Sequence, residues 1–214
     1  QVTENEISKT IDWRRLPPPE ELAEEAHALL QEHPGQGYYL HQRGIGSRIE
    51  SNRLGWWNGY YTFPGYTDDF QFAGLILRAD GQTQQQTGTR YLTPPQQEPF
   101  LYVTDWNRIA RNSVVFVTFG IVDALVVADL GFASVSPSNG QTPHSEMFDA
   151  LRKRLVIIPD NKVEEVDTAE RLIAELGWRG ELLILPYEDN LNDPADFART
   201  TQTKVILRSH LARF

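Results

Sequence analysis

The hydrophobic pattern of the first half of the chain predicts helices followed by antiparallel strands. The segment EELAEEAHALLQEH carries apolar residues at helical spacing behind an acidic first turn, which favours an amphipathic helix. A second, short helix is predicted to carry Tyr38, Tyr39 and Leu40 and to end at Arg43 and Gly44. The segments YYTFP and FAGLILRA are rich in aromatic and branched side chains and predict antiparallel strands. The segment DGQTQQQTGT that follows is predicted to be an unordered polar loop.

From residue 113 onward, short apolar segments alternate with helical ones. The predicted strands are SVVFVTF, FASVS, LVIIPD and ELLILP, and the predicted helices are VDALVVADLG, SEMFDALRKR, VEEVDTAERLIAELG and one near DPADFART. Short strands that are apolar throughout predict a mainly parallel sheet with helices on both faces. Ligand sites in such sheets lie beyond the carboxyl ends of the strands. The residues of interest are therefore those at 119–120, 136–140, 160–162 and 187–196.

Composition and charge narrow the classes of function. The 214 residues include no Cys, which excludes a disulfide framework, a thiolate zinc site and a catalytic thiol within this segment. No apolar stretch approaches the roughly 20 residues of a membrane span, so we expect a cytoplasmic protein without a membrane partner. The net charge of −9 argues against coating duplex DNA through bulk electrostatics. Because the chain opens at Gln1 without an apolar leader, we expect it to be part of a longer protein.

Carboxylates follow two of the predicted strands. Asp160 follows LVIIP, and Asp193 and Asp196 follow ELLILPY after a polar loop. If they converge, their oxygens suit Mg²⁺ or Mn²⁺. The alternative is that Asp160 begins a turn and that Asp193 caps the last helix.

The turn at 136–140 offers backbone N–H groups to a phosphate, or is a plain connection. The histidines show no zinc-ligand spacing, so no zinc is expected.

Three motifs in the second half resemble those of a Toprim domain. VVFVTFGIVDALVVADLGFASVSPSNG resembles the first motif, a strand ending in Glu-Gly with an Asp three residues after the Gly. LVIIPDNK resembles the second, a strand ending in Asp-x-Asp, and LPYEDNLNDPADF resembles the third. Their order is similar to that in the RNA polymerase core of bacterial and phage DnaG-type primases. The resemblance spans nearly everything from residue 29 to residue 197.

The first half resembles the other part of that core. The matching segments are YYLHQRGI, RLGWWNGYYTFPGYTDDFQFAGLILRA and TRYLTPPQQEPFLY. The resemblance implies a basic α+β subdomain that faces the Toprim site across a cleft for template strand and nucleotides. By position, it makes Arg43, Arg78 and Arg90 the phosphate-facing, nucleic-acid-binding residues; the alternative for each is an ordinary surface or structural arginine.

The resemblance implies an α/β fold class, with a Toprim-type, mainly parallel sheet flanked by helices and preceded by the primase-like α+β subdomain. The expected divisions are an acidic lead-in and helix at 1–36, the α+β subdomain at 37–110, the Toprim-like domain at 111–200 and a carboxyl-terminal extension at 201–214.

The chain departs from the family pattern at its most important positions. Phe119 stands where the family has the Glu that acts as general acid or base, and a phenyl ring neither binds a cation through a lone pair nor moves a proton. Lys162 stands where the family has the second Asp of Asp-x-Asp, and an ammonium there repels Mg²⁺. Asp160 and Asp193 are kept as residual catalytic residues. The next acidic position is Ala195, unless Asp196 serves instead.

These departures favour one function over two others. The favoured hypothesis is a catalytically impaired primase-like protein of DNA replication, phage or mobile-element biology. It would bind single-stranded DNA or primer-template, or a partner such as a helicase. The second hypothesis is an active primase that makes RNA primers with Mg²⁺ or Mn²⁺, and the third is a protein scaffold that does not bind nucleic acid. Metal binding by Asp160, Asp193 and Asp196 is expected to be weak or absent, with Lys162 paired to Asp160 or Asp193.

Overall fold

The structure, a computed structural model, describes residues 11–138, 143–187 and 191–214. Three sequence predictions therefore lie partly outside the described residues: the acidic lead-in at 1–36, the turn at 136–140 and the loop at 187–196. Within the described ranges, the chain forms two sheets, one of four strands and one of five. None of the helices in these ranges is long and apolar enough to cross a membrane.

The first sheet is antiparallel and follows three helices. The helices are α1 (Pro19–Glu32), α2 (Tyr38–Gln42) and α3 (Arg48–Ser51), and the strands are β1 (Gly55–Trp57), β2 (Tyr60–Tyr66), β3 (Phe72–Ala79) and β4 (Tyr91–Leu92), with α4 (Gly81–Thr87) between the last two. The strands lie in the order β1-β2-β3-β4, and each neighbouring pair is antiparallel. The two antiparallel strands and the two first helices predicted from the sequence are confirmed. Helix α1 packs its buried face on this sheet through Leu22, which lies in one cluster with Leu75 and Leu77.

The prediction that DGQTQQQTGT is an unordered loop is wrong, because α4 forms there. The carboxylate of Asp80 accepts a hydrogen bond from the backbone N–H of Thr83 at 2.7 Å and caps the first turn. Gly88 ends the helix with a φ of 71°, the left-handed conformation that favours glycine. Glutamine has good helix propensity, so correct capping at both ends is enough to order this polar segment.

The second sheet is mostly parallel, and its helices lie on both faces. Its elements are β5 (Leu101–Val103), α5 (Trp106–Arg111), β6 (Val114–Thr118), α6 (Ile121–Asp129), β7 (Ser134–Pro137), β8 (Arg154–Ile158), α7 (Val163–Leu176), β9 (Gly180–Leu182), α8 (Pro194–Phe197) and α9 (Thr201–Leu211). The strand order is β5-β7-β6-β8-β9. Only the β5–β7 pair is antiparallel. The α/β fold class predicted from the sequence is therefore confirmed.

Two elements of the second half are shorter than the sequence predicted. The segment SEMFDALRKR forms only a 3-10 turn at Ser145–Phe148, because Phe148 and Leu151 are drawn into the core and Arg152 takes a φ of 47°, which breaks a helix. Strand β9 ends at Leu182 rather than at the end of ELLILP. Leu182 pairs with Ile157 of the neighbouring strand β8, which ends one residue later at Ile158. The residues after Leu182 therefore have no partner strand.

The two sheets share a hydrophobic core. One cluster of buried side chains joins Phe63 of β2, Leu125 of α6, Val156 of β8 and Leu207 of α9. A second cluster lies on the other face of the mostly parallel sheet and includes Val117. The shared core fixes α2, which follows α1 in the first half, against the helices that follow the parallel strands. This packing brings Arg43 to the strand ends.

Candidate functional site

The candidate site lies beyond the carboxyl ends of β6 and β8, which are parallel neighbours. Asp160 follows β8 after Pro159, and Asp123 lies in the first turn of α6, which follows β6. Asp193 precedes α8, which packs against α6. The backbone N–H of Asn161 donates to the carbonyl of Asn192 at 2.7 Å and holds the two loops together. The fold therefore brings carboxylates from all three motif segments to one edge of the sheet.

Asp123 is the most enclosed of these carboxylates. Its side chain is buried, and Oδ1 accepts a hydrogen bond from the backbone N–H of Ala195 at 2.9 Å. A Cβ added to Gly120 would lie 2.1 Å from Oδ2, so a side chain at position 120 would displace this carboxylate. Burial, followed by the charges of Asp193 and Asp160, raises the pKa of Asp123 well above its ordinary value. Sequence reasoning noted Asp123 as part of the first motif but did not include it in the candidate site.

The carboxylate of Asp160 forms an ion pair with the ammonium group of Lys162. Lys162 Nζ lies 2.9 Å from Asp160 Oδ2 and 3.0 Å from Glu165 Oε1. Of the two partners that the sequence left open for Lys162, the structure selects Asp160. Burial raises the pKa of Asp160 to about 6, although the hydrogen bond from Lys162 acts in the opposite direction. Burial by itself lowers the pKa of Lys162, but the hydrogen bonds of its ammonium group to Asp160 and Glu165 outweigh burial, so the pKa is raised.

Asp193 caps a helix, and Asp196 forms ion pairs with two arginines. Asp193 Oδ1 accepts from the backbone N–H of Asp196 at 2.7 Å, which is the capping role that the sequence gave as the alternative to metal binding. Arg43 Nη1 lies 3.3 Å from Asp196 Oδ1 and 4.0 Å from Asp193 Oδ1. Arg199 Nη2 lies 2.6 Å from the same Asp196 oxygen. Burial and the neighbouring charge of Asp196 raise the pKa of Asp193.

Aromatic side chains complete the wall of the site. Phe119 packs against the second hydrophobic cluster, together with Val117. The hydroxyl of Tyr187 donates a hydrogen bond to the carbonyl of Pro159, and its ring packs edge-on against Phe197 at 5.9 Å. Burial, with the charges of the neighbouring carboxylates, raises the pKa of Tyr187. The sequence analysis included position 187 among the residues of interest but gave Tyr187 no role, because the third motif was searched for carboxylates.

The residues of this site do not fit the divalent metal that the sequence resemblance implies. Across residues 11–138, 143–187 and 191–214, no group of three or more His, Cys, Asp or Glu side chains is arranged to hold a metal ion. At an effective dielectric constant of about 20, two unit charges about 4 Å apart interact by about 4 kcal/mol, so a divalent ion beside the Lys162 ammonium meets about twice that repulsion before solvent screening. One oxygen of each of Asp123, Asp160 and Asp193 is instead bonded to a cation or to a backbone N–H group.

The three arginines predicted to face nucleic acid lie in one row. The Arg43 guanidinium lies 5.6 Å from the centre of the Tyr39 ring, and that of Arg78 lies 4.4 Å from the same ring. Arg78 is also 5.8 Å from the centre of the Tyr91 ring, and Arg90 is 5.4 Å from it. We call this row of alternating cations and rings the arginine–tyrosine ladder. Stacking on aromatic rings holds each guanidinium in place.

The outer part of the ladder lacks compensating negative charge. Among the described residues, no carboxylate lies within salt-bridge distance of Arg78 or Arg90. Arg78 is only 7% exposed, and its Nε donates to the neutral hydroxyl of Tyr91 at 3.2 Å. A buried cation that no anion neutralises is costly unless a ligand supplies the anion. In contrast, Arg43, at the inner end, already contacts Asp196.

Replacing Asp123 by Asn should stabilise the protein at neutral pH. Because burial raises the pKa values of Asp123, Asp160 and Asp193, the folded chain holds more protons than the unfolded chain. Stability therefore falls as the pH rises from about 4, the ordinary aspartate pKa, towards about 6, the pKa of Asp160. We expect Asp123→Asn to raise the midpoint of thermal unfolding by about 2 to 6 °C at pH 7.5 with a chelator present, and to have little effect near pH 4.

Asp167→Asn is the matched control, since it removes the same charge from an exposed position on α7. Its effect on the unfolding midpoint should be small and similar at both pH values. An Asp123→Asn variant that is less stable than the parent at pH 7.5 would show that the carboxylate is stabilised by its surroundings.

The fold matches solved structures of primases. The chain is 15% identical to a DnaG primase catalytic domain bound to ssDNA, with a TM-score of 0.71 over 91% of this chain and 77% of the other. It is 16% identical to the RNA polymerase domain of Mycobacterium tuberculosis primase DnaG, with a TM-score of 0.69 over 91% and 81% of the two chains. For the primase fragment of the bacteriophage T7 primase-helicase, the identity is 14% and the TM-score 0.62, over 80% and 72%.

No protein-family model matches the sequence, and no curated protein matches it either. The likeness is therefore one of fold, and the fold is that of DnaG-type primase catalytic cores, as the sequence resemblance implied.

Proposed function

We propose that this chain is a primase-like module with an impaired catalytic centre, which acts by binding single-stranded nucleic acid. Its setting would be DNA replication, in a cytoplasmic, phage or mobile-element context, with a replication partner such as a helicase. The division at 1–36, 37–110, 111–200 and 201–214, with a Toprim-like third part, belongs to the same proposal.

The observation that carries the proposal is that cations and backbone groups of the chain itself already contact the motif carboxylates. Lys162 contacts Asp160. Arg43 and Arg199 contact Asp196, and Asp193 caps α8. A primase centre needs free carboxylate oxygens and a group that moves a proton, and Phe119 supplies neither. Mg²⁺ or Mn²⁺ would therefore bind weakly or not at all, and the residual carboxylates would serve the fold.

The arginine–tyrosine ladder supports the nucleic-acid half of the proposal. Its outer cations lack carboxylate partners within the described ranges, and phosphate is the anion that a planar guanidinium grips best. A structure with the same fold, the DnaG primase catalytic domain, has been solved with ssDNA bound. A row of cations spaced by rings suits a single strand, because it offers contacts both to phosphates and to unstacked bases.

One observation favours an active primase as the second candidate. Four aspartates line the site, and they outnumber the three cations that contact them among the described residues, Lys162, Arg43 and Arg199. An excess of negative charge attracts divalent ions, particularly when nucleotide phosphates add oxygen ligands. The impaired centre is the better-supported candidate, because each motif carboxylate already has a partner within the chain.

Two properties measured on the same preparation test the proposal. The first is affinity for single-stranded DNA, followed by fluorescence anisotropy, and the second is template-dependent formation of oligoribonucleotides. Binding without synthesis supports the proposal. Synthesis that Asp160→Ala abolishes supports the active primase, and the absence of both at low salt supports the protein scaffold.

A further inference from the structure

A cavity at helix α9 lies next to the candidate site and has no assigned role. It has a volume of about 320 Å³. The residues that line it include Leu130, Ala198, Arg199, Thr201, Lys204 and Arg208. Three of these are cations, on a chain whose net charge is −9. From Thr200 to Phe214 the sequence contains no acidic residue, so this basic character belongs to the whole segment.

The cavity is connected to the arginine–tyrosine ladder by two direct contacts. Arg43, at the inner end of the ladder, and Arg199, in the cavity wall, contact the same oxygen of Asp196. A Cβ added to Gly44 would lie 3.2 Å from Cβ of Ala198, so the residue after Arg43 already packs on the cavity lining. Ladder and cavity therefore form one track, which passes the carboxylates of Asp193 and Asp196 at Arg43.

Cations outnumber anions around the cavity. Arg199 shares Asp196 with Arg43, whose Nη1 also lies 4.0 Å from Asp193 Oδ1. Lys204 Nζ lies 2.8 Å from Asp129 Oδ2. Arg208 is exposed, and within the described part of the chain it forms no ion pair. Leu130, Ala198 and Val205 give the lining an apolar part, and Val205 is 62% exposed. An anion with an apolar portion matches this combination of lining residues better than a simple ion does.

We infer that the α9 cavity is a second phosphate-binding subsite for single-stranded nucleic acid, occupied by the part of the strand that extends past the ladder. The inference rests on the proposed function and adds a direction to it: the strand runs from Arg90 along the ladder, past Asp196, to Arg208. Arg208 contacts a backbone phosphate, and the apolar lining residues contact the adjoining sugar or base. The subsite is therefore used only by strands long enough to span both parts of the track.

Oligonucleotides of two lengths test the subsite. Affinities for labelled oligothymidines of about 6 and about 20 nucleotides are measured by fluorescence anisotropy over a range of salt concentrations. Arg208→Gln should weaken binding of the long strand about three- to ten-fold and reduce the slope of log affinity against log salt by about 0.7. Its affinity for the short strand should equal that of the parent. Arg208 is exposed, and we expect its removal to leave the fold intact, which thermal unfolding checks.

Arg213→Gln is the matched control. It removes the same charge from an exposed position in the same basic segment, but Arg213 does not line the cavity. We expect it to leave both affinities and the salt slope unchanged. If Arg208→Gln behaves like Arg213→Gln on the long strand, the subsite is refuted while the ladder stands. If the parent binds neither strand at low salt, the proposed function fails and the subsite fails with it.

Discussion

Incubated with single-stranded template, ribonucleotides and Mg²⁺ or Mn²⁺, this chain is expected to make no template-dependent oligoribonucleotides above the level of its Asp160→Ala variant. A positioned proton-transfer group is worth about 10² to 10⁴ in rate, and Phe119 cannot replace one. The loss of metal ligands adds to that deficit, because Lys162 holds Asp160 at 2.9 Å. Together these changes should place synthesis about 10⁴-fold or more below that of an active primase core.

An active DnaG-type core in the same reaction mixture provides the positive control, with products resolved by length on a denaturing gel. Asp160→Ala is the informative comparison, because it removes the best-placed motif carboxylate and leaves the ladder intact. Primers made by the parent and lost in Asp160→Ala would establish that the site retains catalysis despite Phe119 and Lys162.

Replacing Arg78 and Arg90 together by Gln is expected to weaken single-stranded DNA binding about 10²-fold at low salt. Each arginine contributes a phosphate contact, so the slope of log affinity against log salt should fall by about 1.4. The double change also removes the cations that stack on Tyr91, at 5.8 and 5.4 Å from its ring centre. Fluorescence anisotropy at several salt concentrations measures both effects.

Arg111→Gln serves as the charge-matched control, since Arg111 is exposed at the end of α5 and does not belong to the ladder. We expect this change to alter the affinity for single-stranded DNA less than about two-fold, because salt screens the charge of a distant surface residue. Equal losses in the double variant and in Arg111→Gln would mean that binding follows total charge, and the ladder would then have no specific role.

Much of the fold was predictable, because local signals and tertiary packing agree over most of the chain. Helix α7 and strands β6 and β8 have unmistakable periodicity and burial. Prediction failed where capping or burial overrode composition. Two capping residues order the polar helix α4, and the burial of Phe148 stops a helix that the pattern favoured.

The candidate site was only partly predictable. The position of Asp160 after a strand and the capping role of Asp193 follow from local sequence rules. The contact of Arg43 with Asp196 joins residues 153 positions apart, and no spacing rule anticipates it. The stacking of Arg78 between two tyrosine rings likewise depends on how α2 packs against β3 and β4. Contacts between residues that are far apart in the sequence decide whether a carboxylate is able to bind a metal ion. Such contacts can be identified only from the three-dimensional structure.

Titration calorimetry with Mn²⁺ at pH 7.5 tests the central claim most directly. We predict no saturable binding by the parent at about 1 mM Mn²⁺, because Lys162 pairs with Asp160 and both Arg43 and Arg199 pair with Asp196. We also predict measurable binding by Lys162→Ala, in which the ammonium is gone and the negative charge of the site is exposed. Saturable binding by the parent below about 0.1 mM, lost in Asp160→Ala, would contradict the account.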